Sequence, residues 1–107
     1  MDIIQQLHWR YATKRFDSNK KVTPETVQKL VEIIRLSATS LGLQQFRLLV
    51  VEDQEIKEKM TEVCHGQPQA STCSHVFVLA CRNDINDVYV EEHAARIANI
   101  RGLNDEE

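Results

Sequence analysis

His75-Val76-Phe77-Val78-Leu79-Ala80-Cys81 is the stretch on which the fold turns. It is apolar at both odd and even positions, so it reads as a strand covered on both faces and central in its sheet. Upstream, Phe46-Arg47-Leu48-Leu49-Val50-Val51 is a second short run of strand formers. No third strand of comparable strength is present. Between the two strands, Asp53 can cap a helix with Ile56, Met60 and Val63 as its buried stripe. His65 to Cys73, with Gly66 and Pro68, reads as a loop.

Helices precede and follow this pair. Asp2 can cap a first helix carrying Ile3, Ile4, Leu7 and Trp9, and Asp17 to Val22 reads as a loop. Thr23-Pro24-Glu25 is a helix start, with Thr as N-cap, Pro at the first helical position and an acid in the first turn. Val27, Leu30, Val31 and Ile34 then form one apolar stripe, and the helix fades near Ser37. Val90, Ala94, Ile97 and Ala98 suggest a last helix over residues 87–101. The polar tail from Gly102 to Glu107 shows no obvious stop. The order is helix, helix, strand, helix, strand, helix. Two strands make a thin sheet whose edges need cover, which implies an incomplete domain, a dimer that completes the sheet, or both.

The 107 residues suit one small domain, and 13 basic against 16 acidic residues leave a net charge of -3. That balance gives no reason to expect nucleic acid or an anionic membrane as partner. No apolar run approaches the roughly 20 residues of a membrane span, and the start lacks the pattern of a signal peptide. Three scattered cysteines make no disulfide framework. The expected setting is the cytoplasm.

The chemistry-bearing residues are few. Arg10-Tyr11-Ala12-Thr13-Lys14-Arg15-Phe16 is a basic cluster in a mildly acidic chain. If the first helix ran through it, Arg10 and Lys14 would share one face and could grip an anion. The same residues also suit a solvated helix end. Ser37-Ala38-Thr39-Ser40 offers hydroxyls where the second helix closes. Three glycines in all exclude a glycine-lined phosphate cradle. Cys64, His65, Cys73 and His75 are possible zinc ligands, but their spacing matches no standard zinc pattern. They read instead as two half-buried cysteines and a histidine at the mouth of a strand. His93, beside Glu91 and Glu92, reads as solvated. With no nucleophile and base arranged by spacing, a bound cofactor would carry any catalysis.

Three blocks, in order, resemble the nitroreductase family of FMN-dependent NAD(P)H oxidoreductases. Arg10 to Phe16 resembles the family's opening Arg-(His/Tyr/Arg)-Ser-x-(Lys/Arg)-x-(Phe/Tyr), with Ala12 in place of Ser. Ser37 to Phe46 is in register with Ser-Pro-Ser-x-x-Asn-x-Gln-Pro-Trp. Gly66-Gln67-Pro68-Gln69 followed by Ser74-His75 resembles the family's Gln-containing loop and next strand. The resemblance covers residues 2 to about 82 and implies an α+β fold, a sheet flanked by helices. Residues 1–107 would be the N-terminal part of a single domain of roughly 200 residues. A second half would supply more sheet, a backbone contact to flavin N5 and further basic residues.

The resemblance also implies roles. Arg10 would bind the FMN phosphate, with Tyr11 and Ala12 at the same end, and Lys14 would reach the pyrimidine edge near N1 and O2. Ala38, Thr39 and Ser40 would cover the flavin from the other subunit of a homodimer. Gln67 and Gln69 would approach the polar edge of the isoalloxazine. The implied reaction is ping-pong hydride transfer from NADH or NADPH, through flavin, to a small-molecule acceptor such as a nitroaromatic or quinone. Ala12 cannot donate the hydrogen bond of a Ser, and Leu41-Gly42-Leu43 is more apolar than the family block. A rival reading is a flavin-free dimerisation or ligand-binding module that kept the fold without catalysis.

Overall fold

Side-chain caps set where the helices begin. A computed structural model describes residues 2–103; Met1 and the tail residues 104–107 lie outside the described residues. Helix α1 (Ile3–Trp9) starts where Asp2 Oδ1 accepts the Ile4 N–H at 2.9 Å. Helix α2 (Pro24–Leu36) starts where Thr23 Oγ1 accepts the Thr26 N–H at 3.4 Å. In α3 (Gln54–Val63), Asp53 Oδ1 accepts the Ile56 N–H at 2.9 Å. The last helix, α5 (Asp87–Arg101), is capped by Asn86, whose Oδ1 accepts the Tyr89 N–H at 3.0 Å. Each cap satisfies one N–H that has no partner inside the helix.

Helix ends follow the same logic. At the end of α2, the Ser37 hydroxyl donates to the Ile33 carbonyl at 2.8 Å. The tail does contain a stop: Gly102 takes φ +66°, and the Leu103 N–H returns to the Ala98 carbonyl at 2.9 Å. Glycine is favoured there because a Cβ is strained in the left-handed region. The expected loop between Gly66 and Cys73 holds one helical turn, α4 (Gln69–Thr72). Pro68 precedes it, and the Pro68 carbonyl accepts from the Thr72 hydroxyl at 2.7 Å.

Strands β1 (Phe46–Val51) and β2 (Val76–Cys81) pair antiparallel, Phe46 opposite Cys81 and Val51 opposite Val76. With helices outside an antiparallel sheet, the class is α+β. β2 is not central among the described residues, because β1 is its sole neighbour. Its apolar far end therefore stays open, with Leu79 56% exposed.

Two buried stripes differ from expectation. On α3, Ile56 and Val63 are 50% and 77% exposed, while Lys57 is fully enclosed. The inward face runs through Lys57, Met60, Thr61 and Cys64 instead. On α5, Val90 and Ala94 are exposed and Tyr89, His93 and Ile97 turn inward. Arg10 lies just past α1 in extended backbone (φ −67°, ψ 145°). Arg10 and Lys14 therefore do not share a helix face. Ala70 is the one apolar residue that qualifies as core among the described residues. The radius of gyration is 18.9 Å, against about 13 Å for a compact domain of this length. The described residues form an open scaffold with apolar faces on α1, α2 and α5 still exposed.

Replacing the α3 cap, Asp53→Ala, should lower unfolding stability by about 1 kcal/mol, and Asp53→Asn by much less. Urea unfolding followed by circular dichroism measures both, and equal losses would mean that the cap hydrogen bond is not the cause.

Candidate functional site

The strip from Thr72 to His75 joins α4 to β2, and it gathers distant parts of the chain. Thr72 Oγ1 accepts the Phe16 N–H at 3.1 Å. Ser74 Oγ accepts the Val22 N–H at 2.8 Å and lies 2.8 Å from His75 Nδ1. His75 Nε2 lies 3.8 Å from the Glu52 carboxylate. From α3, Lys57 Nζ donates to the Cys73 and Ser74 carbonyls at 2.8 and 3.2 Å.

Two hollows meet along this strip. One, of about 500 Å³, is walled by Phe16, Val22, Val27, Leu30 and Phe77, with Lys20 and Lys21 also lining it. The other, of about 310 Å³, holds Gln67 and Gln69 and shares Phe16, Cys73, His75 and Phe77 with the first. Gln69 Oε1 is buried and has no hydrogen-bond partner. Such an acceptor is costly unless a donor arrives. The pyrimidine edge of FMN carries an N–H, so this residue fits the cofactor that the resemblance implies.

The structure brings some expected site residues together and not others. Gln67 and Gln69 share a hollow with Phe16, the last residue of the basic cluster. Arg10, Tyr11, Ala12 and Lys14 are exposed and line neither hollow. Among the described residues, no carboxylate pairs with Arg10 or Lys14. Ala38, Thr39 and Ser40 also lie outside both hollows. Thr39 Oγ1 is engaged locally, accepting the Gln44 N–H at 3.0 Å. This holds a turn in which Leu41, Gly42 and Gln44 all have positive φ. For Leu41 and Gln44 that backbone is strained. Among the described residues, no three His, Cys, Asp or Glu side chains converge as a metal site would require. Cys64 and Cys73 are half-buried.

A third hollow, of about 590 Å³, lies at the other end of the strand pair and includes Arg47, Arg82, Tyr89, His93 and Arg96. Arg82 forks onto Asp84 at 2.6 and 2.9 Å and stacks 4.4 Å over the Tyr89 ring. The Tyr89 hydroxyl donates to the Leu43 carbonyl at 2.9 Å, tying α5 to the strained turn. Hydrogen bonding to Arg82 holds the Asp84 carboxyl below the usual aspartate range. His93 is not solvated: its Nε2 is buried without a partner, as is Gln45 Oε1. The short spacing Arg82-Asn83-Asp84 is a local signal that could have found the ion pair, and no local signal marks His93.

Residues 7–102 match the family described as the nitroreductase family. A Staphylococcus saprophyticus protein named "Putative NAD(P)H nitroreductase" is 38% identical over 96 residues, 88% of this chain and 44% of that protein. "Putative NAD(P)H nitroreductase YfkO" of Bacillus subtilis is 37% identical over 101 residues, 89% of this chain and 45% of its own length. This chain thus spans under half the length of these curated relatives. A structure from Exiguobacterium sibiricum, described as a "putative nitroreductase in complex with FMN", aligns with a TM-score of 0.69 at 23% identity. The alignment covers 99% of this chain and 50% of that one.

The Arg82–Asp84 pair gives a pH signature. Because the folded pKa of Asp84 is depressed, the pair's stabilisation is present above the unfolded aspartate value and is lost as pH falls through the folded one. A side-chain carboxyl NMR titration should place the Asp84 midpoint below an ordinary aspartate, and Arg82→Gln should move it up. No movement in that variant would assign the depression to another cause.

Proposed function

From the premise that this chain belongs to the nitroreductase family, we propose that it provides part of an FMN-dependent NAD(P)H oxidoreductase. Its acceptors would be nitroaromatics, quinones or similar small molecules. One observation on this chain carries the reading. The basic cluster is free of carboxylate partners among the described residues, and it ends at Phe16 in the hollow where Gln69 Oε1 lacks a donor.

Each part has a chemical task. Arg10 offers a planar fork suited to a phosphate. Lys14 would offer positive charge to the pyrimidine edge of the flavin, an electrostatic role. Gln69 would accept from the ring N–H, with Gln67 beside it. When bound, FMN supplies the hydride-transfer chemistry. The chain then needs to bind, orient and exclude water, and no protein acid or base is assigned. A homodimer fits the exposed apolar faces of α1, α2 and α5. In it, Ala38, Thr39 and Ser40 of the second copy would cover the flavin.

Arg10→Ala should weaken FMN binding about ten- to hundred-fold, the scale of a hydrogen bond to a charged group. Titration followed by flavin fluorescence measures this, and unchanged affinity would remove Arg10 from the site. The purified protein should show a flavin absorption band that bleaches with NADH or NADPH. A protein that stays colourless after FMN is added would favour the flavin-free module instead.

A further inference from the structure

Lys57 is the largest fully enclosed side chain, with 0% exposure, and nothing in the proposed reaction uses it. An enclosed lysine is tolerated only when its N–H groups are engaged. Here Nζ donates to the carbonyls of Cys73 and Ser74. Cys73 closes α4, where the chain leaves the helical turn in extended backbone (φ −70°, ψ 162°) and enters β2. The two residues flanking Cys73 carry the hydroxyls that catch the Phe16 and Val22 N–H groups. Gln69 stands at the start of the same helical turn.

We propose that Lys57 is a positioning residue. It fixes the strip Thr72-Cys73-Ser74, so that the Thr72 hydroxyl docks Phe16, the end of the basic cluster, beside Gln69, and the Ser74 hydroxyl docks Val22 at the end of the loop that follows. Lys57 touches neither cofactor nor substrate. Its effect travels through backbone carbonyls to Thr72 and Ser74, and from them to Phe16 and Val22. The consequence for cofactor binding rests on the FMN reading above, whereas the docking does not.

Amide hydrogen exchange by NMR and FMN titration, run on the same proteins, separate the two. Lys57→Met keeps the aliphatic stem and removes the donors. In it the Phe16 and Val22 amides should exchange about tenfold faster, the loss of roughly one hydrogen bond each, while β1–β2 ladder amides keep their rates. The FMN Kd should rise about tenfold by the same measure, and Lys57→Arg should recover most of both effects. Thr72→Val should accelerate Phe16 alone, and Ser74→Ala Val22. Unchanged Phe16 and Val22 rates in Lys57→Met overturn the proposal, as does equal acceleration of every amide, which marks a merely structural role. If Lys57→Met does not fold, Lys57→Gln, which keeps a shorter polar side chain, decides: unchanged Phe16 and Val22 rates in it overturn the proposal. Unchanged FMN affinity in Thr72→Val and Ser74→Ala, in a protein that binds FMN, overturns the consequence for cofactor binding. If the unaltered protein binds no FMN but the amides respond as expected, the FMN reading fails and the brace stands.

Discussion

The antiparallel pairing of β1 with β2 is the constraint on which the rest of this structure depends. It fixes two ends in space. At the Val51–Val76 end lie His75, Ser74 and the hollow of Gln69. The Phe46–Cys81 end borders the arginine-lined hollow beneath α5. There the ladder is prolonged by the Arg82 N–H, which donates to the Gln45 carbonyl at 2.9 Å. A two-stranded ladder is marginal alone in water, because half its backbone groups face outward. Here helices cover only part of it. The enclosed volume is small, and Ile3, Ile4, Leu7 and Trp9 of α1 stay 57–79% exposed among the described residues.

What was legible in the sequence was local. Asp2, Thr23 and Asp53 announced their helices because an N-cap needs only a short polar side chain and the next three residues. Both strands were legible from dense β-branched and aromatic residues. Side-chain facing was harder. On α3, lysine counts as polar in any hydrophobic pattern, so the stripe was assigned to Ile56 and Val63 and the inward position of Lys57 was missed. Its butyl stem packs as an apolar group would, and only two carbonyls far along the chain reveal why it is inside. His93 and Tyr89 were missed for a similar reason, since Leu43, which accepts from Tyr89, and one wall of their hollow lie more than forty positions away.

The candidate site shows the same division. Gln67 and Gln69 were identified by their block and do share a hollow. That Arg10 leaves α1 in extended backbone, with Lys14 at a bend beyond it, was not legible, because nothing in Arg10-Tyr11-Ala12 is a strong helix breaker. Helix α1 has seven residues, and its apolar side chains stay largely exposed, so little packing supports its continuation. Tertiary support, more than propensity, decides how far a short helix runs.

The brace at Lys57 also bears on the order in which the chain assembles. The two strands are separated by residues 52–75, and closing a loop of that length as open coil costs entropy before any ladder bond forms. Helices α3 and α4 lie inside that loop; Gln54 Nε2 donates to the Ser71 carbonyl of α4 at 3.1 Å, and Lys57 holds the two carbonyls that follow α4. Once they associate, the ends of β1 and β2 are already close, and the pairing becomes kinetically almost as local as a hairpin. The nucleus of folding would then be this helix pair and the strip behind it, with the sheet its product.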